Sequence, residues 1–301
     1  MLHWTEQYFR ARGIDTPRLD GEILLAHVLG CRRIDLYLQH DRPLTAGELR
    51  RYRELVKARA DRTPVAYLVG TAGFWSLTLA VGPGCLVPRP DSEALVEATL
   101  QAAAALRASG GAPEAPLLVL ELGTGSGALP LAVCSETRAV RWIAVERSAP
   151  ALAVARANRD AHPALLAPRG NALLLVRGDG FSALAPGCRP DLIVSNPPYI
   201  PSAQVAGLMP EVALAEPREA LDGGPDGTDL HRYLMDFAAA SLRPGGRLLM
   251  EMGPEQAPLL QALLRRHPSL AEVALHRDLA RRPRVYHAEQ RGVPQTEGAE
   301  P

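Results

Sequence analysis

The stretch LLVLELGTGSG, residues 117–127, joins an apolar run to a turn that contains three glycines. The run has the length of a buried strand, and the residues from Ala128 to Cys134 are compatible with a helix. Glycines let the backbone pass close to a bound cofactor, and the helix start offers free N–H groups to its polar end. The pattern predicts a strand, a glycine turn and a helix within an α/β fold. The candidate cofactor-binding residues of this stretch are Glu121, Gly123, Thr124, Gly125, Ser126 and Gly127.

Two acids further along the chain make this site more specific, since nicotinamide enzymes use a similar glycine turn. Glu146 closes the next apolar strand, about where a doubly wound sheet places the acid that accepts from ribose hydroxyls. Asp179, followed by Gly180, closes a third strand and can accept from an adenine amino group. Either acid alone could be a solvated strand end. Together with Glu121, the three acids in order favour a nucleoside-containing cofactor.

The stretch DLIVSNPPYI, residues 191–200, is an apolar strand that runs into two prolines. Prolines end the strand and lack N–H groups, which leaves the carbonyl groups of Asn196 and Pro197 free. An Asn side-chain oxygen and a backbone carbonyl can accept both hydrogens of a planar –NH2 group, and the ring of Tyr199 can cover it. We therefore predict Asn196, Pro197 and Tyr199 as catalytic, and these residues with Pro198 as the substrate pocket. On this motif alone, a stiff loop after a strand is an equally good interpretation.

These motifs, in this order, resemble those of peptide-chain release factor glutamine methyltransferases, which depend on S-adenosylmethionine. The resemblance covers nearly the whole chain, and its specific part lies outside the methyltransferase core. That part comprises PVAYLVG at residues 64–70, Phe74-Trp75, VPRPDSE at residues 87–93 and EPREALDGG at residues 216–224.

The resemblance implies a doubly wound, Rossmann-like class I methyltransferase sheet with S-adenosylmethionine across the ends of its first strands. It also implies that the substrate is the glutamine of the Gly-Gly-Gln loop of release factors, methylated at its side-chain nitrogen by direct displacement. No general base is evident, so the proton is expected to leave to solvent. The Asn-Pro-Pro-Tyr motif is shared with adenine-N6 and guanine-N2 nucleic-acid methyltransferases and with a ribosomal-protein glutamine methyltransferase. These substrates, and a non-catalytic cofactor-binding module, remain alternatives.

Several positions depart from the family pattern. Glu121 and Glu146 stand where aspartate is commoner, so each carboxylate reaches one methylene further. Gly180 stands where a bulky residue often packs beside the adenine, and Phe181 is not expected to replace that packing. Arg281 replaces an expected glycine.

A length of 301 residues favours two domains. We predict a helical N-terminal domain with a hairpin linker at residues 1–82, a methyltransferase domain at 83–290 and a disordered tail at 291–301. The predicted apolar helix faces are Leu19, Ile23, Ala26 and Val28 after Thr16-Pro17, and Leu49, Tyr52 and Val56 after Thr45. The predicted hairpin strands are Val65–Leu68 and Phe74–Val81, and a C-terminal antiparallel pair is predicted at Leu270–His276 and Arg284–His287. A helix is predicted from Thr228 to Leu242. The resemblance assigns engagement of the protein substrate to the N-terminal domain.

Composition bears on partners and compartment. The formal net charge is +0 and no long basic run occurs, so stable nucleic-acid binding is not expected. Neither a leader sequence nor a run long enough to cross a bilayer is evident, which predicts a cytoplasmic protein. The 4 cysteines have no paired spacing, so neither a metal site nor a disulfide framework is expected. We expect a monomer. The polar segment 201–227 is predicted to face the substrate, with Glu216 and Asp222 as either substrate contacts or ordinary exposed residues.

Overall fold

The computed structural model describes residues 1–109, 115–182, 184 and 187–291. The chain begins with five helices that pack around their own apolar cluster, which includes Phe9, Leu24 and Tyr52. Their bounds are α1 Leu2–Arg10, α2 Pro17–Leu29, α3 Asp35–Leu38, α4 Ala46–Ala60 and α5 Val65–Val69. The hydroxyl of Thr45 accepts from the backbone N–H of Glu48 and fixes the start of α4, as its sequence predicts.

Two predictions in this region need correction. Ala26 and Val28 of the predicted α2 face are buried, whereas Leu19 is 37% exposed. Leu24 and Leu25, which lie outside that face, are also buried, because α1 and α4 both pack against α2. Val65–Leu68 lies within helix α5 rather than a strand. Pro64 precedes this helix and Gly70 ends it with a φ of 76°, which are helix boundary signals that outweigh four residues of alternation.

The hairpin that follows consists of β1 Thr71–Phe74 and β2 Leu77–Ala80. It is shorter than predicted and begins after Gly70. Its buried side chains Phe74 and Leu79 join the apolar core of the catalytic sheet rather than the cluster of the N-terminal helices. By packing, the hairpin therefore belongs with the residues that follow it.

A seven-stranded sheet carries the rest of the chain, in the spatial order β5-β4-β3-β6-β7-β9-β8. Strands β3 to β7 are parallel, and β8 and β9 form the predicted antiparallel pair at one edge. The remaining elements are α6 Glu93–Ser109, β3 Leu117–Leu122, α7 Ala128–Glu136, β4 Val140–Glu146, α8 Ala149–Ala161, β5 Ala172–Arg177, β6 Leu192–Ser195, α9 Pro210–Ala213, α10 Asp229–Ser241, β7 Arg247–Glu251, α11 Ala257–Leu264, β8 Leu270–Arg277 and β9 Pro283–Gln290.

Helices cover both faces of this sheet. Buried residues of α6, α7 and α8 form one core with the hairpin, and those of α10 and α11 form a second core on the opposite face. Parallel strands covered on both faces are apolar along their whole length, which explains the continuous runs at 117–120 and 192–194. The sheet therefore presents the carboxyl ends of β3, β4, β5 and β6 at a common edge, where a doubly wound fold binds ligands.

The turn between β8 and β9 shows why a glycine is expected at residue 281, where this chain has arginine. Arg281 has a φ of 63° there, a conformation that glycine adopts without strain and other residues adopt at a cost of about 1 kcal/mol. The predicted tail at 291–301 lies, beyond Arg291, outside the described residues. In the part of the chain that the structure describes, no helix is both long and apolar enough to cross a membrane.

Candidate active site

A cavity of about 380 Å³ lies at the carboxyl ends of β3 to β6. It is lined by six of the residues predicted from the sequence, which are Gly123, Gly125, Glu146, Asp179, Gly180 and Asn196. The sheet order places them in a row, with Asp179 after β5, Glu146 at the end of β4, the glycine turn after β3 and Asn196 after β6. Pro198 also lines the cavity, whereas Glu121, Thr124, Ser126, Gly127, Pro197 and Tyr199 do not.

The glycine turn opens its backbone to this cavity. Gly123 and Gly125 have φ angles of 75° and 57°, and a Cβ added at either would meet no atom within 4 Å. Gly127 begins α7 with a φ of 78°, and its Cα faces Ala155 of α8, where an added Cβ would lie 3.5 Å from that side chain. The first two glycines therefore give a ligand close access, and the third packs two helices together. Thr124 and Ser126 are buried behind the turn.

Glu146 fixes this turn and still has capacity for a ligand. One carboxylate oxygen accepts from the backbone N–H of Gly125 at 2.9 Å, and the other accepts from that of Ser148 at 2.8 Å. Each carboxylate oxygen can accept a second bond. The side chain therefore has acceptor capacity for hydroxyl groups within the cavity, and its contact with a ribose stays a prediction.

Glu121 lies beneath the turn and is 2% exposed. Its Oε2 accepts from the indole N–H of Trp142 at 3.0 Å. Burial, together with the nearby carboxylate of Glu146, raises the pKa of this carboxyl to about 7, although the hydrogen bond from Trp142 opposes the shift. The structure thus places Glu121 in a supporting position under the cavity floor, and its direct contact with a cofactor stays a prediction.

The raised pKa of Glu121 makes the stability of the protein depend on pH. Between pH 4.5, the pKa of an ordinary glutamate, and about pH 7 the folded protein keeps a proton that the unfolded chain releases. The free energy of unfolding therefore falls as the pH rises through this window, by about 3 kcal/mol for this group. We expect the stability of Glu121→Gln relative to the unsubstituted protein to increase by about that amount from pH 5 to pH 8. Urea unfolding at both pH values tests this, with exposed Glu54→Gln as control. An unchanged difference between the two proteins would contradict the raised pKa.

Asn196 is held in one orientation by a residue far away in the sequence. Its Nδ2 donates to the hydroxyl oxygen of Ser92 at 3.0 Å, which turns Oδ1 away from Ser92. Among the described residues, no donor is bonded to this Oδ1 or to the carbonyl oxygens of Asn196 and Pro197. The Asn-Pro-Pro motif therefore offers open acceptors for a substrate –NH2 group.

Tyr199 is directed away from the cavity into a buried polar cluster. Its hydroxyl donates to Oε1 of Glu251 at 3.3 Å and accepts from Arg284 at 3.5 Å. Arg284 also donates to Asp91 at 2.9 Å and to Asp278 at 3.3 Å. Burial raises the pKa of Glu251 to about 7, while Ser92 and Arg284 oppose the shift. This cluster anchors the strand end that carries Asn196, and Asp91 forms ion pairs with Arg282 and Arg284 within it.

Ser92 is a positioning residue, and its substitution tests this role. We expect Ser92→Ala to lower kcat about tenfold, because the amide of Asn196 can then rotate and offer its –NH2 group where an acceptor is needed. Affinity for S-adenosylhomocysteine should change little. Ser92→Thr keeps the hydroxyl and should restore kcat. Equal kcat for the Ala variant and the unsubstituted protein would contradict the role, and failure of Thr to rescue would indicate a packing effect.

The segment 201–227 covers one side of the cavity with Pro217, Glu219 and Ala220. Glu216 is not an exposed loop residue, because its side chain is buried and bonds to Arg89 and to the backbone N–H of Val87 at 3.2 Å. Asp222 accepts from Ser202 at 2.5 Å and from Arg218 at 3.0 Å, so it stabilises the segment internally. The segment is thus an ordered wall of the cavity, and its contact with the substrate stays a prediction.

Sequence reasoning missed three cavity residues at the start of α10, which are Asp229, Leu230 and Tyr233. The helix itself was predicted, with nearly the observed bounds. Tyr233 follows Asp229 by four residues and Leu230 by three, so it lies beside both on the helix surface. Nothing in the local sequence shows that this surface meets the cavity.

Comparisons with known proteins agree with this geometry. Residues 1–70 match the family described as PrmC N-terminal domain, and residues 111–226 match the family described as Methyltransferase small domain. The catalytic domain of hMettl16, solved in complex with a MAT2A 3′UTR hairpin, superposes with a TM-score of 0.53 at 11% identity, over 80% of this chain and 82% of that chain. That likeness concerns the fold. Sheet topology, glycine turn and family match together define a class I methyltransferase whose cofactor is S-adenosylmethionine.

Relatives define the family within that class. The release factor glutamine methyltransferase of Geobacter sulfurreducens is 40% identical over 266 residues, which cover 88% of this chain and 87% of the relative. The release factor glutamine methyltransferase of Rhodopirellula baltica is 36% identical over 285 residues, which cover 95% of this chain and 93% of the relative. The chain belongs to the release factor glutamine methyltransferase family.

Proposed function

We propose that this protein transfers a methyl group from S-adenosylmethionine to the side-chain amide nitrogen of the glutamine in the Gly-Gly-Gln loop of a release factor. The observation that carries the proposal is Oδ1 of Asn196, an acceptor that receives no hydrogen bond from the described residues and lies at the end of the cavity row that begins at Asp179. The carbonyl oxygen of Pro197, the next residue, is likewise bonded to no described donor. Family membership supplies the protein substrate. We place the reaction in the cytoplasm and the active protein as a monomer.

The cavity fits the cofactor in size and in the chemistry of its walls. A volume of about 380 Å³ lies in the range of small-molecule sites. Gly123 and Gly125 leave room for close approach, Glu146 can accept from the ribose hydroxyls, and Asp179 can accept from the adenine amino group. When bound, S-adenosylmethionine supplies an electrophilic sulfonium methyl group.

The residues of the motif act on the nucleophile. An amide nitrogen is a poor nucleophile because its lone pair is delocalised into the carbonyl group. Oδ1 of Asn196 and the carbonyl oxygen of Pro197 can accept its two hydrogens and favour localisation of the lone pair as the N–C bond forms. The methyl C–S bond breaks in the same displacement and leaves a neutral thioether. The nitrogen then loses one proton to solvent.

Incubation with labelled S-adenosylmethionine tests the proposal in three separate reactions, with a release factor, with total RNA and with unmethylated DNA. We expect label in the release factor alone, as one methyl group on the Gly-Gly-Gln glutamine when peptides are mapped by mass spectrometry. A release factor with Gln→Ala in that loop is the matched control and should stay unlabelled. Label in nucleic acid alone would overturn the proposed substrate.

A further inference from the structure

Gly180 has no side chain at the end of β5, and Tyr233 occupies the space that one would take. Gly180 has a φ of 64°, and a Cβ added there would lie 2.6 Å from the hydroxyl oxygen of Tyr233 and 3.0 Å from the ring carbon that carries it. The shorter of these distances is below the range of real Cβ contacts, and the longer one is tighter than most of them. A side chain at residue 180 and the tyrosine at residue 233 therefore exclude each other.

Tyr233 is fixed at this position by its surroundings. Its hydroxyl accepts from the backbone N–H of Phe181 at 2.7 Å. Its ring stacks with Phe181 and Phe237, with centroids 6.3 Å apart in both pairs. Phe181 itself is 3% exposed in the core and does not line the cavity. Within the described part of the cavity wall, Tyr233 is the one aromatic side chain.

The sheet order shows which part of the cofactor reaches this tyrosine. The methyl group must lie at Asn196, after β6, and Glu146 at the end of β4 is positioned for the ribose. On the far side of Glu146 from Asn196, the sheet order places β5, and Asp179, Gly180 and Tyr233 line the cavity there. The nucleobase is the part of the cofactor that remains, so it lies at the β5 end.

We propose that Tyr233 is the aromatic wall against which the adenine of the cofactor packs, supplied by α10 in place of the side chain that residue 180 lacks. The inference rests on the cofactor of the proposed function. An aromatic ring and a neighbouring acceptor carboxylate suit a purine with an exocyclic amino group, since the ring packs on the base and Asp179 can bind its edge. Tyr233 would thus determine affinity for the cofactor rather than the rate of methyl transfer.

Equilibrium binding of S-adenosylhomocysteine to the full-length protein, measured by calorimetry, tests this role. We expect Tyr233→Ala to weaken binding about tenfold to hundredfold, the effect of removing one base–aromatic contact. Tyr233→Phe keeps the ring and loses only the bond to Phe181, and its Kd should stay within about threefold of the unsubstituted value. Tyr37→Ala removes a tyrosine of the N-terminal helices that is 51% exposed and serves as matched control. Circular dichroism and thermal unfolding confirm that each variant is folded.

A second ligand locates the contact at the base. 5′-Methylthioadenosine keeps adenine and ribose but lacks the amino acid, and Tyr233→Ala should weaken its binding by a similar factor. Unchanged affinity of the folded Ala variant would overturn the inference. Equal loss in the Phe and Ala variants would also overturn it, because the hydroxyl bond to Phe181 would then be the whole role. If the unsubstituted protein fails to bind S-adenosylhomocysteine, the cofactor assignment fails instead.

Discussion

Asn196→Ala is expected to lower kcat for release factor methylation by about two orders of magnitude, comparable to the loss of one preorganised polar group from an active site. The substitution removes Oδ1, which is open toward the substrate, together with the Nδ2 group that bonds to Ser92. The acceptor acts most strongly as the amide lone pair localises, so kcat should fall more than KM rises. Single-turnover methylation of a release factor with labelled S-adenosylmethionine measures the effect.

Two controls separate this effect from a general loss of structure. Binding of S-adenosylhomocysteine should weaken less than tenfold, because Asn196 is one residue of a long cavity wall. Asn196→Asp places a carboxylate oxygen at both the Oδ1 and the Nδ2 position of Asn196. It cannot donate to Ser92, but it should retain more activity than the Ala variant. A folded Ala variant with kcat within about threefold of the unsubstituted protein would exclude the assigned role.

Local patterns were sufficient to predict the elements that form the cavity edge. Two apolar runs are each followed by a signal that ends a strand. The run at 117–120 leads into the glycine turn, and the run at 192–194 leads into the prolines after Asn196, so the prediction of neither strand depends on distant packing. The antiparallel pair and helix α10 were predicted for the same reason. The acids at the strand ends followed from the sheet, because parallel strands place their carboxyl ends at one edge.

Contacts between distant parts of the chain could not be predicted. Ser92 and Asn196 are 104 residues apart, and Phe181 and Tyr233 are 52 apart, so only the folded sheet brings each pair together. Similarly, the buried surface of α2 depends on where α1 and α4 pack, and periodicity alone included the exposed Leu19 and left out the buried Leu24 and Leu25. The burial of Glu216 could not be predicted from its charge, because a buried carboxylate needs a partner and Arg89 comes from another segment.

The segment 201–227 also touches the catalytic motif through its backbone, at Gly223. Gly223 donates its N–H to the carbonyl oxygen of Ile200 at 2.9 Å, and the N–H of Ile200 donates to Leu221 at 3.0 Å. A Cβ added at Gly223 would lie 2.5 Å from the carbonyl oxygen of Pro198 and 2.8 Å from that of Gly227. Both obstacles are backbone atoms, so they cannot move aside as a flexible side chain could.

Gly223→Ala should therefore displace the Asn-Pro-Pro-Tyr backbone and lower kcat by about 100-fold, the typical cost of misplacing reacting groups by about 1 Å. Gly207→Ala is the matched control in the same segment, because Gly207 is exposed and an added Cβ there meets no atom within 4 Å. We expect that variant to methylate release factor at the normal rate. Comparable activity of the two variants would show that the close approach at Pro198 does not control the reaction. A large loss in the Gly223 variant alone, with its unfolding transition still cooperative, would establish that segment 201–227 sets the position of the acceptors that receive the glutamine amide.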